Sequence, residues 1–172
     1  LGTAFHVYPS AQHTRFEHCL GTFHLAARMI ERLGARAEVE RCLASPVGAQ
    51  ALRPWVRELV AEGVCADMLD YLERDAYFTG LELGYDERIL DWFKIDPESG
   101  HLYVDLTKHQ MDREDVLSEL LNLFRIRYVS SERIYYHHAK VASGALLSRP
   151  GSPVTRRSRT ISCATSSRTS RC

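Results

Sequence analysis

Thr14, placed three residues ahead of Glu17, forms a capping box, and behind it Phe16, Leu20, Phe23, Ala27 and Ile30 recur at helical spacing. A helix therefore starts at Thr14. A helix with one apolar stripe needs neighbours to pack against, and helical periodicity returns in at least four further segments. The expected fold is mainly α, a helical bundle.

The residues around this cap carry chemistry as well as structure. His13 and Arg15 lie at the helix mouth, where unpaired backbone N–H groups and the helix dipole favour anions, and His18 sits within about the first turn. This is a place for a metal ligand beside a phosphate. His24, six positions beyond His18, falls on a different side of the helix.

Gly34 can end the first helix. A mixed segment with some helical character runs from Ala35 to Pro54 and contains the turn signal Ser45-Pro46-Val47-Gly48. Pro54, at a first helical position, precedes Trp55, Leu59 and Val60 on one face, and Gly63 stops that short helix. The following helix places Asp67, Asp70, Tyr71, Arg74, Asp75 and Phe78 on one side and Met68, Leu69, Leu72 and Ala76 on the other. The default for a face so rich in charge is a solvated surface, which only a partner site overturns.

From Leu90 the pattern changes to a hairpin. Trp92 to Ile95 and His101 to Leu106 read as strands around the turn Asp96-Pro97-Glu98-Ser99-Gly100, a small appendage with His101 and His109 as surface residues. Asp112 and Asp115 open another helix, with Val116, Leu120, Leu123 and Phe124 as its stripe. Ser130 or Ser131 caps the last helix, which runs to about Leu147. Arg125, Arg127, Arg133, His137, His138 and Lys140 interleave there with Tyr128, Tyr135 and Tyr136. Amphipathic core helices with solvated cations account for this cluster as well as a ligand site does.

The 172 residues suit one domain with a single core, residues 1–148, followed by a tail at 149–172. The formal net charge of zero conceals a division: six of the 22 basic residues lie in the tail with no acid, leaving sixteen against 22 acids, about −6, in the body. The tail is nearly all Ser, Thr, Arg and Pro and is expected to be disordered. Its composition fits an unrelated extension as well as an arm that binds nucleic acid weakly and without sequence preference. Five cysteines without a C-x-x-C pair read as reduced thiols. No apolar run is long enough for a bilayer and no secretory signal opens the chain, so a cytoplasmic location and no membrane partner are expected. Leu1 in place of Met is what a fragment or processed chain would show.

The stretch from Tyr8 to Gly21 (YPSAQHTRFEHCLG) resembles the opening motif of HD-domain metal-dependent phosphohydrolases, in the branch of deoxynucleoside triphosphate triphosphohydrolases. Asp67 to Gly80 (DMLDYLERDAYFTG) resembles their later aspartate motif, and Ile134 to Ala142 (IYYHHAKVA) is similar to their C-terminal helix. The resemblance implies an HD-like bundle and a divalent ion (Mg, Mn, Zn or Fe) with His18 as first ligand and Asp67 as last. It further implies Arg15 on the substrate phosphates, Tyr71 and Asp75 against the sugar, and His137, His138 and Lys140 as further phosphate contacts. The substrate would be a nucleotide and the assembly a homo-oligomer.

The sequence contains no His-Asp dipeptide, the pair that supplies the family's two central ligands, and only His24 lies between His18 and Asp67. Catalytic residues beyond the ligands are therefore unassigned, and the bundle is expected to be truncated in its centre. Two functions follow: a phosphohydrolase acting on nucleotides, or a non-catalytic remnant that binds nucleotides or another protein.

Overall fold

A computed structural model describes residues 2–44 and 53–148. Helices dominate: α1 (Arg15–Arg32), α2 (Arg36–Leu43), α3 (Pro54–Ala61), α4 (Ala66–Thr79), α5 (Glu114–Ser130) and α6 (His138–Ser148), with short 3-10 turns at Gly2–His6 and Glu87–Asp91. Two antiparallel two-stranded sheets lie between α4 and α5. The turn at 45–48 and the tail at 149–172 fall outside the described residues.

Local chemistry sets the helix ends. The Thr14 hydroxyl accepts from the Glu17 N–H at 3.2 Å, while the Glu17 carboxylate accepts from the Thr14 N–H at 2.5 Å, so the box closes from both sides. The bond to the Thr14 backbone holds the Glu17 carboxyl below its usual range. Pro54 stands at the start of α3. At the end of α4, Gly80 takes the left-handed conformation, φ 71°, and its N–H returns to the Ala76 carbonyl.

The core forms where α1, α3, α4 and α5 meet. Met29, Trp55, Leu59, Leu69, Leu72, Leu123 and Ile126 are buried there together, with Ile89 and Leu90 from the 3-10 turn. Each such side chain contributes about 1.5–3 kcal/mol over leaving it exposed. α4 is the central element, packing on α1, α3 and α5.

The face that α1 buries takes in only the C-terminal end of its periodic stripe, where Ile30 packs against the core. Leu25 and Met29 point inward, whereas Phe16, Leu20 and Phe23 are exposed, the two phenylalanines at 70% and 73%. Spacing identified the helix correctly; it carried no information about which side the rest of the chain would cover. α4 departs from its default in the opposite sense. Met68, Leu69, Leu72 and Ala76 are buried as the pattern implies, but Asp70 and Asp75 are buried too.

The expected hairpin forms, with β1 (Phe93–Ile95) paired to β2 (Leu102–Val104). It is fastened to α3, because the Glu58 carboxylate accepts the Leu102 N–H at 2.7 Å and pairs with His101 Nδ1. A second small pair, β3 (Thr107–Lys108) with β4 (Met111–Asp112), corrects the expectation of a single hairpin. Its turn residues His109 and Gln110 have φ of 52° and 61°. The single last helix is corrected as well: α5 continues to Ser130, a π-helical turn spans Ser131–Tyr135, and α6 begins afresh at His138. Among the described residues no helix is long and apolar enough to cross a membrane.

Candidate functional site

α1 and α4 cross so that the first turns of α1 face the polar side of α4. His18 is the junction. Its Nε2 lies 2.9 Å from Asp67 Oδ1 and its Nδ1 lies 2.7 Å from Asp70 Oδ2. Asp70 is held in turn by Arg74 one helical turn on, which donates from Nε at 2.9 Å and from Nη2 at 2.8 Å. Such a two-point guanidinium–carboxylate pair fixes direction as well as distance.

Two opposing effects act on the His18 imidazolium. Burial disfavours it, but hydrogen bonds to Asp70 and Asp67 and their negative charges outweigh that, and the pKa lies above the ordinary value.

Close approach of the helices depends on Gly21. A Cβ at that position would overlap Asp70 Oδ1 and Arg74 Nη2, so no other residue lets this pair lie against α1 unmoved. Mid-helix glycine costs about 1 kcal/mol relative to alanine, and this packing is the compensation.

Beside His18 a pocket of about 170 Å³ opens, lined by His13, Thr14, Arg15, His18, Tyr71, Arg74 and Asp75. Arg15 stands exposed at its rim. At the other wall Asp75 Oδ1 is 2.8 Å from His13 Nε2, and Asp75 Oδ2 accepts from the Tyr135 hydroxyl at 2.6 Å. Burial, followed by that bond and the Asp75 charge, pushes the Tyr135 phenol far above its ordinary pKa. Tyr71 meets Tyr135 edge-on, with ring centroids 6.1 Å apart.

Five residues singled out in the sequence thus converge: Arg15, His18, Tyr71 and Asp75 line the pocket, and Asp67 touches His18. The other three sit further out. Lys140 Nζ lies 5.3 Å from the centre of the Tyr135 ring, while the rings of His137 and His138 lie against each other at 4.3 Å. Gly21 carries no role in the sequence pattern, Tyr135 belongs there only to the cluster around Lys140, and Asp70 and Arg74 fall on a face whose default is solvated. A glycine in the middle of a helical pattern was the available signal for the first.

The metal expected from the resemblance can be tested against the donors present. Among the described residues no three His, Cys, Asp or Glu side chains are grouped to hold an ion. Asp70 addresses the other nitrogen of the ring and cannot share an ion with Nε2 and Asp67. Of the ligands the resemblance implies, the fold brings one pair together, His18 Nε2 and Asp67, with Asp70 on the other nitrogen of the ring.

No family model matches the sequence. An uncharacterized protein of Methanocaldococcus jannaschii is 28% identical over 123 residues, covering 48% of this chain and 27% of that protein. Among solved structures, a hypothetical protein from Aquifex aeolicus matches with a TM-score of 0.67 and 24% identity, over 86% of this chain and 53% of that one. A phosphohydrolase from Bacteroides thetaiotaomicron matches with a TM-score of 0.66 and 21% identity, over 85% of this chain and 48% of the other. The chain therefore spans about half the length of these two structures and about a quarter of the archaeal protein. At these identities the likeness is one of fold, and that helical fold is shared with a protein named a phosphohydrolase.

Proposed function

We propose that this pocket binds the phosphates of a nucleotide, with a deoxynucleoside triphosphate as the favoured substrate, and that the chain acts as a metal-dependent phosphohydrolase in the cytoplasm. The observation that carries the reading is His18, set between Asp67 and Asp70 beside Arg15 at the mouth of α1. When bound, a divalent ion supplies a hydroxide near neutral pH and offsets charge on phosphorus oxygens. His18 and Asp67 are its protein ligands. Arg15 takes the phosphates at the rim, Tyr71 and Asp75 accommodate the sugar, and Lys140, with His137 and His138, supplements the positive charge behind Tyr135.

A second reading, a nucleotide-binding module without turnover, is favoured by the missing His-Asp dipeptide. Release of phosphate or triphosphate from deoxynucleoside triphosphates with Mn or Mg separates the two. The hydrolase reading expects release by the parent and its loss in Asp67→Ala. A variant as active as the parent would remove Asp67 from the site, and nucleotide binding without release would establish the second reading.

A further inference from the structure

The least economical residue in the pocket is His13. Its side chain and that of Asp75 are each only 7% exposed, and its ring stacks on Phe78 with centroids 4.7 Å apart. A carboxylate only accepts, so its pairing with Asp75 puts the His13 proton on Nε2. Nδ1 is then buried with no hydrogen-bond partner among the described residues. A phenylalanine or leucine would fill the same space against Phe78 without stranding a polar atom. Packing therefore does not account for a histidine here; the Nε2–H does.

That donor joins three distant parts of the chain. His13 belongs to the segment preceding α1, Asp75 to α4 and Tyr135 to the π-helical turn, and the carboxylate takes one bond from each neighbour. Parallel ties flank it: Tyr8 donates to the Arg133 carbonyl at 3.0 Å, and Ser10 donates to the Phe78 carbonyl at 2.5 Å. The N-terminal segment thus runs like a strap from the end of α4 to the turn carrying Tyr135.

We propose that His13 is a positioning residue: its Nε2–H sets the direction of the Asp75 carboxylate and, through it, the Tyr135 hydroxyl, and so shapes the wall that reads the non-phosphate end of the ligand. The effect on ligand rests on the nucleotide reading above; the clamp on Asp75 and Tyr135 does not.

Two variants and two probes test this. His13→Leu keeps bulk and removes the donor, whereas His13→Gln returns an amide N–H close to the position of Nε2. Equilibrium binding is measured with a non-hydrolysable α,β-methylene deoxyadenosine triphosphate and with inorganic triphosphate. The expected result for His13→Leu is about tenfold weaker binding of the nucleotide analogue, the size of one lost buried hydrogen bond, with inorganic triphosphate changed less than about twofold. His13→Gln is expected to recover the analogue to within about threefold of the parent. Unchanged analogue binding in His13→Leu, equal loss of both probes, or no recovery in His13→Gln overturns the assignment. If the parent binds neither probe, the nucleotide reading fails and crystal structures of the parent and His13→Leu decide the clamp. Asp75 turned away from Tyr135 in the variant upholds it, and an unmoved pair overturns it.

Discussion

α1 and α4 cross at the site, and each contradicts the usual rule for a helix face in the opposite direction. α1 sends an apolar row, Phe16, Leu20 and Phe23, to solvent and turns His18 and Gly21 toward its neighbour. α4 buries Asp70 and Asp75 along with its leucines. The carboxylates of α4 can be inside because partners wait for them: His18 and Arg74 for Asp70, His13 and Tyr135 for Asp75. Polar burial accompanied by pairing of the carboxylates replaces the solvated surface that the charge pattern of α4 implies.

The contrast can be broken or sharpened by substitution. The largest effect belongs to the apolar side of α4, where Leu69→Ala or Leu72→Ala should cost about 2–5 kcal/mol in urea unfolding, because both side chains are fully enclosed. Next comes a change whose sign is the test. In an exposed helix Gly→Ala stabilises by up to about 1 kcal/mol, yet Gly21→Ala should destabilise by about 1–3 kcal/mol, because the new methyl displaces Asp70 from its partners. A gain in stability would show that the two helices do not approach as described.

A smaller effect is expected in alkali. The Tyr135 phenol titrates above its unfolded value, so its contribution is complete below about pH 10 and is lost as pH rises toward the folded value, the unfolded chain giving up its proton first. Asp75, Tyr71 and the Lys140 ammonium surround it, and of these Asp75 and, less strongly, Tyr71 oppose ionisation. Between about pH 9 and 11 the urea midpoint of the parent should fall more steeply than that of Tyr135→Phe. Parallel curves would mean that the phenol is not buried against Asp75. The smallest effect belongs to the outer row of α1: Phe16→Gln and Phe23→Gln should each change stability by less than about 0.5 kcal/mol, since neither ring is covered.

These inversions also mark what the sequence could tell. Capping is local, so Thr14 and Pro54 announced their helices correctly, and the first hairpin followed from alternation around Asp96–Gly100. The β3–β4 turn stayed hidden because His109 and Gln110 occupy left-handed positions where glycine or asparagine is the usual signal. The break after Ser130 has no proline or glycine to reveal it. The inward turn of the α4 carboxylates was illegible for another reason: their partners lie as much as 62 residues away, a relation that periodicity within one helix does not encode. The resemblance singled out His18, Asp67, Arg15, Tyr71 and Asp75, whereas Gly21, which lets Asp70 and Arg74 lie against α1, acts only through three-dimensional contact.

The coupling between His18 and Asp70 measures most directly whether the polar face of α4 is built against α1. In a double-mutant cycle of His18→Gln and Asp70→Asn, read by urea unfolding of the metal-free chain, the account predicts an interaction energy of at least about 1 kcal/mol. Single-variant effects that add to within about 0.3 kcal/mol would contradict it, because side chains 2.7 Å apart and partly enclosed cannot act independently.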